Sequence, residues 1–116
     1  MRVIKRNKFV SRGDRMKKEI SSGFEIVEDL IKLRWVPEIL QSIEAGNYRY
    51  SEIKRSIDEI SHTELNRKLI ILVEKGTILK EEDQNSTSYY LLDFGKELVH
   101  IFEHLESLQG KYSEVF

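Results

Sequence analysis

The stretch Ile60–Gly76, ISHTELNRKLIILVEKG, decides the fold. Its apolar residues recur every three or four positions, which is typical of one buried face of an amphipathic helix. That face comprises Leu65, Leu69, Leu72 and Val73. Ser61 stands before the pattern and Glu64 follows it three positions later, which predicts an N-terminal capping box. Gly76 predicts the C-terminal end of the helix.

Further helices are predicted before this stretch. A helix that begins at Ser21 or Ser22 would carry an apolar stripe from Phe24 to Leu33. A second helix is predicted over Pro37–Ala45 and ends at Gly46. Ser51 is expected to cap a short third helix, with Ile53 and Ile57 facing inward.

After Gly76 the pattern changes to one typical of strands. Thr77–Lys80 and Ser88–Leu92 flank the polar segment Glu81–Thr87, which predicts a β-hairpin. A last helix is predicted from about Asp93 to about Tyr112. A short helix, a turn, a longer helix and a hairpin form the arrangement of a winged helix-turn-helix. The predicted fold class is mainly α with a small β-hairpin, with N- and C-terminal dimerisation helices.

The composition limits the classes of function. The 116 residues are 40% hydrophobic and 34% charged, as in a soluble single-domain protein. Cysteine is absent, which excludes disulfides and thiolate chemistry. His100 and His104 have the spacing of a metal-binding pair, but a polar helix flank explains them equally and no third ligand is evident. No cofactor motif, signal peptide or membrane span is recognised, and the expected location is cytoplasmic, with no membrane partner.

The charge is unevenly distributed along the chain. Residues 1–20 contain eight lysines and arginines and two acidic residues, whereas the remainder contains 11 and 18. We therefore expect a basic N-terminal arm over residues 1–20, a winged helix-turn-helix domain over 21–112 and a tail over 113–116. Such an arm suits an anionic partner. A solvated tail without a partner is the alternative.

The ordered set of landmarks resembles the HxlR-type winged-helix transcriptional regulators, which belong to the MarR-like group. The resemblance extends over roughly residues 22–110. It is carried by Leu33-Arg34-Trp35 before the second helix, Asn47–Ile53 at the helix-turn-helix, Ile60, Ser61, Leu65, Leu69 and Gly76 in the long helix, and Tyr89, Leu91 and Gly95 after the wing. The resemblance implies a homodimer that binds double-stranded DNA, and a small-molecule effector is a further candidate partner.

The sequence departs from the family pattern at three points. Leu92 replaces a capping threonine, so Asp93 is expected to cap the last helix instead. The wing carries Gln84, Asn85 and Ser86 where relatives often have Pro-Pro-Arg, and the residues before them are acidic. Carboxylates repel a phosphate backbone, so the wing should contribute less to DNA affinity than the wing of a typical relative. Sensing through cysteine does not carry over.

Two sets of side chains are candidates for contact with DNA. Thr63, Asn66, Arg67 and Glu64 lie in the N-terminal half of the long helix, with groups that suit base edges in the major groove. Ser51, Lys54, Arg55, His62 and Lys68 are expected at the phosphate backbone. For Arg49 two roles stay open, a phosphate contact or an ion pair with Glu52. The alternative for the whole set is an ordinary polar solvent face.

Apolar residues outside the predicted core suggest contacts with a second chain. A homodimer is expected to use Phe24, Ile31, Leu98, Ile101, Phe102, Leu105 and Leu108. Ile70 and Ile71 point away from the helix's own core stripe. They either pack under the hairpin or contact another chain.

The leading interpretation is a sequence-specific, DNA-binding transcriptional regulator. A winged-helix module that binds proteins without DNA is the alternative, motivated by the acidic wing. An enzyme is the least supported interpretation, because the sequence has no phosphate-binding loop and no nucleophile paired with a base.

Overall fold

The computed structural model describes residues 24–113 of the chain. Within them the chain forms five helices and one antiparallel hairpin: α1 over residues 24–32, α2 Val36–Glu44, α3 Tyr50–Ser56, α4 His62–Glu74, β1 Ile78–Glu82, β2 Thr87–Leu91 and α5 Asp93–Lys111. The predicted order of elements and the winged helix-turn-helix fold are confirmed. The basic arm and the cap at Ser21 or Ser22 lie outside the described residues.

The chain divides into two compact units, Met1–Leu33 and Arg34–Phe116. The first contains α1, whose side chains Phe24 and Ile26 are exposed. The second contains all the other elements and is the subject of the following paragraphs.

Glycines end two helices of the second unit. Gly46 has φ +106° after α2, and Gly76 has φ +76° after α4. After α4 the N–H of Gly76 donates to the oxygen of Val73, and the N–H of Thr77 donates to the oxygen of Leu72, both at 3.1 Å. This is the Schellman pattern, in which a left-handed residue satisfies the last helical carbonyls. Both predicted helix ends are confirmed.

The N-terminus of α3 differs from the prediction. The helix begins at Tyr50 with Arg49 as its N-cap, so the prediction that Ser51 caps it is wrong. The Glu52 carboxylate accepts from the N–H groups of Tyr48 and Arg49, at 3.1 and 3.2 Å. The Glu52 carboxylate lies in the first turn and satisfies backbone N–H groups at the start of the helix. The helix therefore begins at Tyr50 and needs no side-chain cap from Ser51.

Ser61 caps α4 as predicted, since its Oγ accepts from the N–H of Glu64 at 3.0 Å. The other half of the capping box does not form. The Glu64 carboxylate accepts from Lys68 instead, one turn further along the helix.

The hairpin pairs Ile78 with Leu91 through to Glu82 with Thr87. It is also joined to the segment before α3, because the N–H of Tyr89 donates to the oxygen of Tyr48 at 2.7 Å. The wing and the start of α3 are therefore held together directly.

The start of α5 lies against the turn that follows α4. A Cβ added at Gly95 would overlap the carbonyl oxygen of Thr77 and lie 3.2 Å from Cδ2 of Leu91. Thr77 is fully buried, and its oxygen accepts from the N–H of Leu92 at 3.0 Å. The prediction that Asp93 caps α5 is wrong, because the N-cap is Leu92, which makes no side-chain cap. Asp93 is the first helical residue, where its charge favours the positive end of the helix dipole.

The core of the second unit lies between α2, α3, α4, β1 and α5. Its fully buried side chains include Ile39, Leu40, Ile53, Leu65, Leu72, Ile78 and Leu98. No helix in the described part of the chain is long and apolar enough to cross a membrane.

Candidate nucleic-acid interface

The face of α4 opposite the core presents free polar groups. Leu65, Leu69 and Leu72 are buried, whereas Thr63, Asn66 and Arg67 are exposed. Within residues 24–113, no hydrogen bond or ion pair engages these three polar side chains. Their hydrogen-bonding groups are available to an external partner.

Lys68 does not join that free surface. Its Nζ lies 2.9 Å from the Glu64 carboxylate, and the residue is only 7% exposed. The hydrogen bond and charge of Lys68 hold the pKa of Glu64 below its ordinary value. Contrary to the expected phosphate contact, Lys68 has little surface for a phosphate and already has a partner. Glu64 is half-buried and likewise paired, which leaves it less free than its neighbours to read a base.

A contact between α3 and α4 was not anticipated from the sequence. The Tyr50 hydroxyl lies 3.0 Å from Nδ1 of His62, and the two rings stack with their centroids 5.8 Å apart. Partial burial raises the pKa of Tyr50, so its hydroxyl keeps its proton across the neutral range. His62 is exposed, and its Nε2 faces no protein partner among the described residues. The pair fixes the beginning of α4 against α3.

Two of the residues expected at the phosphate backbone, Arg49 and Ser51, line a groove between α3 and the wing. The groove has a volume of about 440 Å3 and is lined by Arg49, Tyr50, Ser51, Asn85, Ser86 and Thr87. Arg49 is exposed and forms no ion pair with Glu52 in the described residues, because the Glu52 carboxylate accepts from the backbone. The ion pair considered for Arg49 is therefore not formed, and the phosphate contact stays a prediction. On α3, Arg55 is exposed and Lys54 is half-buried.

The tip of the wing is built around a carboxylate. Oδ1 of Asp83 accepts from the N–H groups of Asn85 and Ser86, both at 2.9 Å. These bonds hold the pKa of Asp83 below its ordinary value, so it is charged at neutral pH. Glu81, Glu82 and Asp83 are all exposed. The outer end of the wing is therefore negative, and Gln84, Asn85 and Ser86 provide neutral donors beside these carboxylates.

Ile70 and Ile71 occupy different surroundings. Ile70 is 57% exposed and lines a cavity of about 250 Å3 between α4 and the hairpin. Ile71 is half-buried. The other residues lining the cavity are Asn66, Leu69, Val73, Glu74, Lys80 and Tyr89.

The apolar residues of α5 divide into two faces. Leu98 and Phe102, expected in a dimer interface, are instead buried in the core at 0% and 4% exposure, on the side that packs against α2. A second stripe with spacings of four, three and four residues remains at the surface. It consists of Ile101, Leu105, Leu108 and Tyr112, of which Leu108 is half-buried and the others are exposed.

A second cavity lies between α2, β2 and α5, away from the polar face of α4. It has a volume of about 290 Å3 and is lined by Ile43, Glu44, Tyr48, Tyr90, Leu91, Lys96 and His100. The rings of Tyr48 and Tyr90 lie 5.0 Å apart at its wall. Residues 24–113 contain no cluster of three or more side chains able to hold a metal ion.

The fold resembles several solved regulators. The reduced transcriptional regulator YodB from B. subtilis is 21% identical, with a TM-score of 0.68 over 84% of this chain and 95% of that one. The transcriptional repressor BigR from Xylella fastidiosa is 14% identical, with a TM-score of 0.69 over 85% and 96%. A MarR transcriptional regulator from Methanosarcina mazei Go1 is 16% identical, with a TM-score of 0.57 over 88% and 75%. At these identities the similarity establishes the fold.

No curated protein matches the chain in sequence. The family model for the HxlR-like helix-turn-helix matches residues 30–115, which is most of the chain. The match includes α2–α5 and the wing, the elements that build the polar face of α4 and its surroundings. The chain therefore belongs to the HxlR-like helix-turn-helix family.

Proposed function

We propose that the protein is a sequence-specific DNA-binding transcriptional regulator, not an enzyme, that acts in the cytoplasm as a homodimer with α4 in the major groove. The observation that carries this proposal is the polar face formed by Thr63, Asn66 and Arg67, which is exposed and has no partner among residues 24–113. An ordinary solvent face would be polar too. Here, however, the face belongs to the second helix of a helix-turn-helix, the element that enters the major groove in this motif.

Each of the three side chains has a suitable partner on a base edge. Arg67 can bind O6 and N7 of guanine together, and Asn66 can bind N6 and N7 of adenine. Thr63 can contact a thymine methyl group or a phosphate. Glu64 is assigned to its ion pair with Lys68 rather than to cytosine, because a base contact would compete with that pair.

Backbone contacts are assigned to the groove between α3 and the wing. Ser51 and Arg49 line it, Arg55 and Lys54 lie on the same short helix, and His62 follows at the start of α4. Such contacts position the protein without reading sequence. The exposed carboxylates of the wing oppose the phosphates, so we assign part of the electrostatic attraction to the basic residues of segment 1–20.

The proposed homodimer uses the exposed stripe of α5, with Phe24 and Ile31 of α1 as further candidates. Exposure of four apolar side chains along one side of a helix to water is unfavourable. Such a stripe is typical of a surface that a second chain covers. Leu105→Asp should give a monomer in sedimentation equilibrium. His104→Asp, at an exposed position of the same helix outside the stripe, should leave the dimer intact. A dimeric Leu105→Asp variant would contradict this interface.

A small-molecule effector is proposed for the cavity beside Tyr48. The N–H of Tyr48 donates to Glu52 of α3, and its oxygen accepts from Tyr89 of β2. A ligand that moved Tyr48 would therefore act on both the start of α3 and the wing. Through Tyr48, ligand binding in the cavity would therefore affect the proposed DNA-binding groove between α3 and the wing.

The second candidate function is a winged-helix module that binds a protein partner instead of DNA. The acidic wing and the burial of Lys68 favour it, because both lower the positive potential around α4. The two functions differ in salt dependence, since counterion release makes DNA affinity fall steeply as salt rises.

The test is selection of bound duplexes from a random library by the purified protein. We expect a preferred sequence that reads as two related half-sites. Arg67→Ala should relax the preference at one position in each half-site and cost about 1–3 kcal/mol for the preferred base. Arg55→Ala, the matched control, should weaken all sequences alike. Exchange of these two outcomes would reverse the assigned roles, and failure to enrich any sequence would refute the proposed function.

A further inference from the structure

We infer that Ile70 determines specificity by contacting the 5-methyl group of a thymine in the major groove. The inference rests on the proposed function and deepens it. It assigns a role in DNA recognition to a residue of the second half of α4, beyond the polar residues of its first two turns.

The first step concerns direction along the helix. A helix advances 100° per residue, so Ile70 lies about 20° from Thr63 and about 60° from Arg67 around the axis of α4. Ile70 therefore continues the stripe that carries the proposed base-reading groups. The axial distance from Thr63 to Ile70 is about 10 Å, which spans about three base pairs.

The second step concerns the side chain. Ile70 is 57% exposed, whereas Leu69 beside it is buried at 2%. Ile70 is thus a large apolar group on an otherwise polar face, without a place in the core. An apolar side chain at a major-groove surface can recognise the thymine methyl group, the one apolar feature on the base edges there. Isoleucine is stiff at χ1 in a helix, so little rotamer freedom is lost on contact.

The third step concerns the neighbours of Ile70. Asn66 lies one turn earlier and lines the same cavity, with Lys80 on its opposite wall. The Lys80 ammonium lies 3.4 Å from the Glu82 carboxylate, and much of the remaining lining is apolar. The Asn66 amide beside Ile70 is exposed and has no partner among residues 24–113, so the polar group next to Ile70 suits a base edge. Glu74 comes one turn later and is exposed, and its charge would repel the backbone. We therefore place the end of the DNA contact at Ile70.

The test replaces single thymines by deoxyuridine, which lacks only the methyl group, in a duplex selected by the wild-type protein. At one position per half-site, about three base pairs from any thymine that Thr63 contacts, the wild-type affinity should fall about fourfold, the value of one buried methyl group. Ile70→Ala should bind the thymine duplex about fourfold or more weakly and should show no further loss with deoxyuridine at that position. Leu79→Ala, which also truncates an exposed apolar residue of this unit, should keep the full fourfold response.

Three results would overturn the inference. Wild-type affinity that is unchanged by deoxyuridine at every thymine would exclude a methyl contact. An Ile70→Ala variant that keeps the fourfold response would assign the contact to another residue. In both cases DNA binding itself stands. Absence of any duplex binding would refute the proposed function and the inference with it. Circular dichroism and melting of Ile70→Ala establish that the variant is folded, as expected for truncation of an exposed residue.

Discussion

Gly95→Ala is expected to destabilise the protein, although the same change usually stabilises a helix. Gly95 lies in the first turn of α5, and its Cα faces the buried turn at Thr77. A Cβ there would overlap the Thr77 carbonyl oxygen and lie 3.1 Å from its carbonyl carbon and 3.2 Å from Leu91. The obstacle is mainly backbone, which cannot rotate out of the way as a flexible side chain can.

The magnitude follows from two opposing effects. Alanine is favoured over glycine by up to about 1 kcal/mol within a helix. Forcing a methyl group into a closely packed site typically costs about 1–3 kcal/mol. Moving the Thr77 carbonyl also weakens its hydrogen bond from the N–H of Leu92, worth about 1 kcal/mol. We expect a net loss of about 1–3 kcal/mol in the free energy of unfolding.

Gly110→Ala is the matched control, because Gly110 lies in the same helix and a Cβ there would meet nothing within 4 Å. It should leave stability unchanged or raise it by up to about 1 kcal/mol. Urea unfolding followed by circular dichroism, at one fixed protein concentration, measures both changes. In thermal melts, each 1 kcal/mol should shift Tm by roughly 4 °C. A Gly95→Ala variant as stable as Gly110→Ala would refute the packing of α5 against Thr77.

Three further predictions concern the ends of α4 and its ion pair. Ser61→Ala should lower the free energy of unfolding by about 1 kcal/mol through loss of the N-cap, and Ser61→Asp should retain most of it in the same urea titration. Gly76→Ala should cost about 1–2 kcal/mol, because alanine is strained at φ +76°; a neutral result would contradict the left-handed turn. Lys68 lowers the pKa of folded Glu64, so the stability that Glu64 contributes is complete above its unfolded pKa, about 4.3, and is lost as pH falls through the lower folded pKa. Glu64→Gln should therefore flatten the acid limb of stability against pH, and an unchanged acid limb would exclude this pair as its source.

Local signals in the sequence suffice for the order of elements and for several of their boundaries. Ser61, Gly46 and Gly76 act through hydrogen bonds or backbone angles within a few residues, so their effects can be read directly. Ser51 does not cap α3, because Glu52 supplies the stabilising carboxylate from within the helix. Ser51 and Glu52 are adjacent, and both residue types can stabilise the start of a helix. The sequence alone does not indicate which of the two does so.

The composition of the proposed DNA-binding surface is harder to predict, because it depends on contacts between residues that are distant in the sequence. The sequence around Lys68 is typical of a helix surface. In the folded protein, however, the Lys68 side chain is almost completely shielded from solvent. Similarly, α5 carries apolar residues on two sides, and only the position of α2 separates buried Phe102 from exposed Leu105. The contact of Tyr50 with His62 joins two helices across the turn and has no sequence signature.

Equilibrium binding of the purified protein to its own upstream DNA and to library-selected duplexes, measured by fluorescence anisotropy from about 50 to 200 mM salt, tests the central claim most directly. If α4 and the groove beside it bind DNA through about four phosphate contacts, the affinity should fall roughly a hundredfold over this range. Binding that is absent at about 50 mM salt, or that does not change with salt, would contradict the assignment of this surface to DNA.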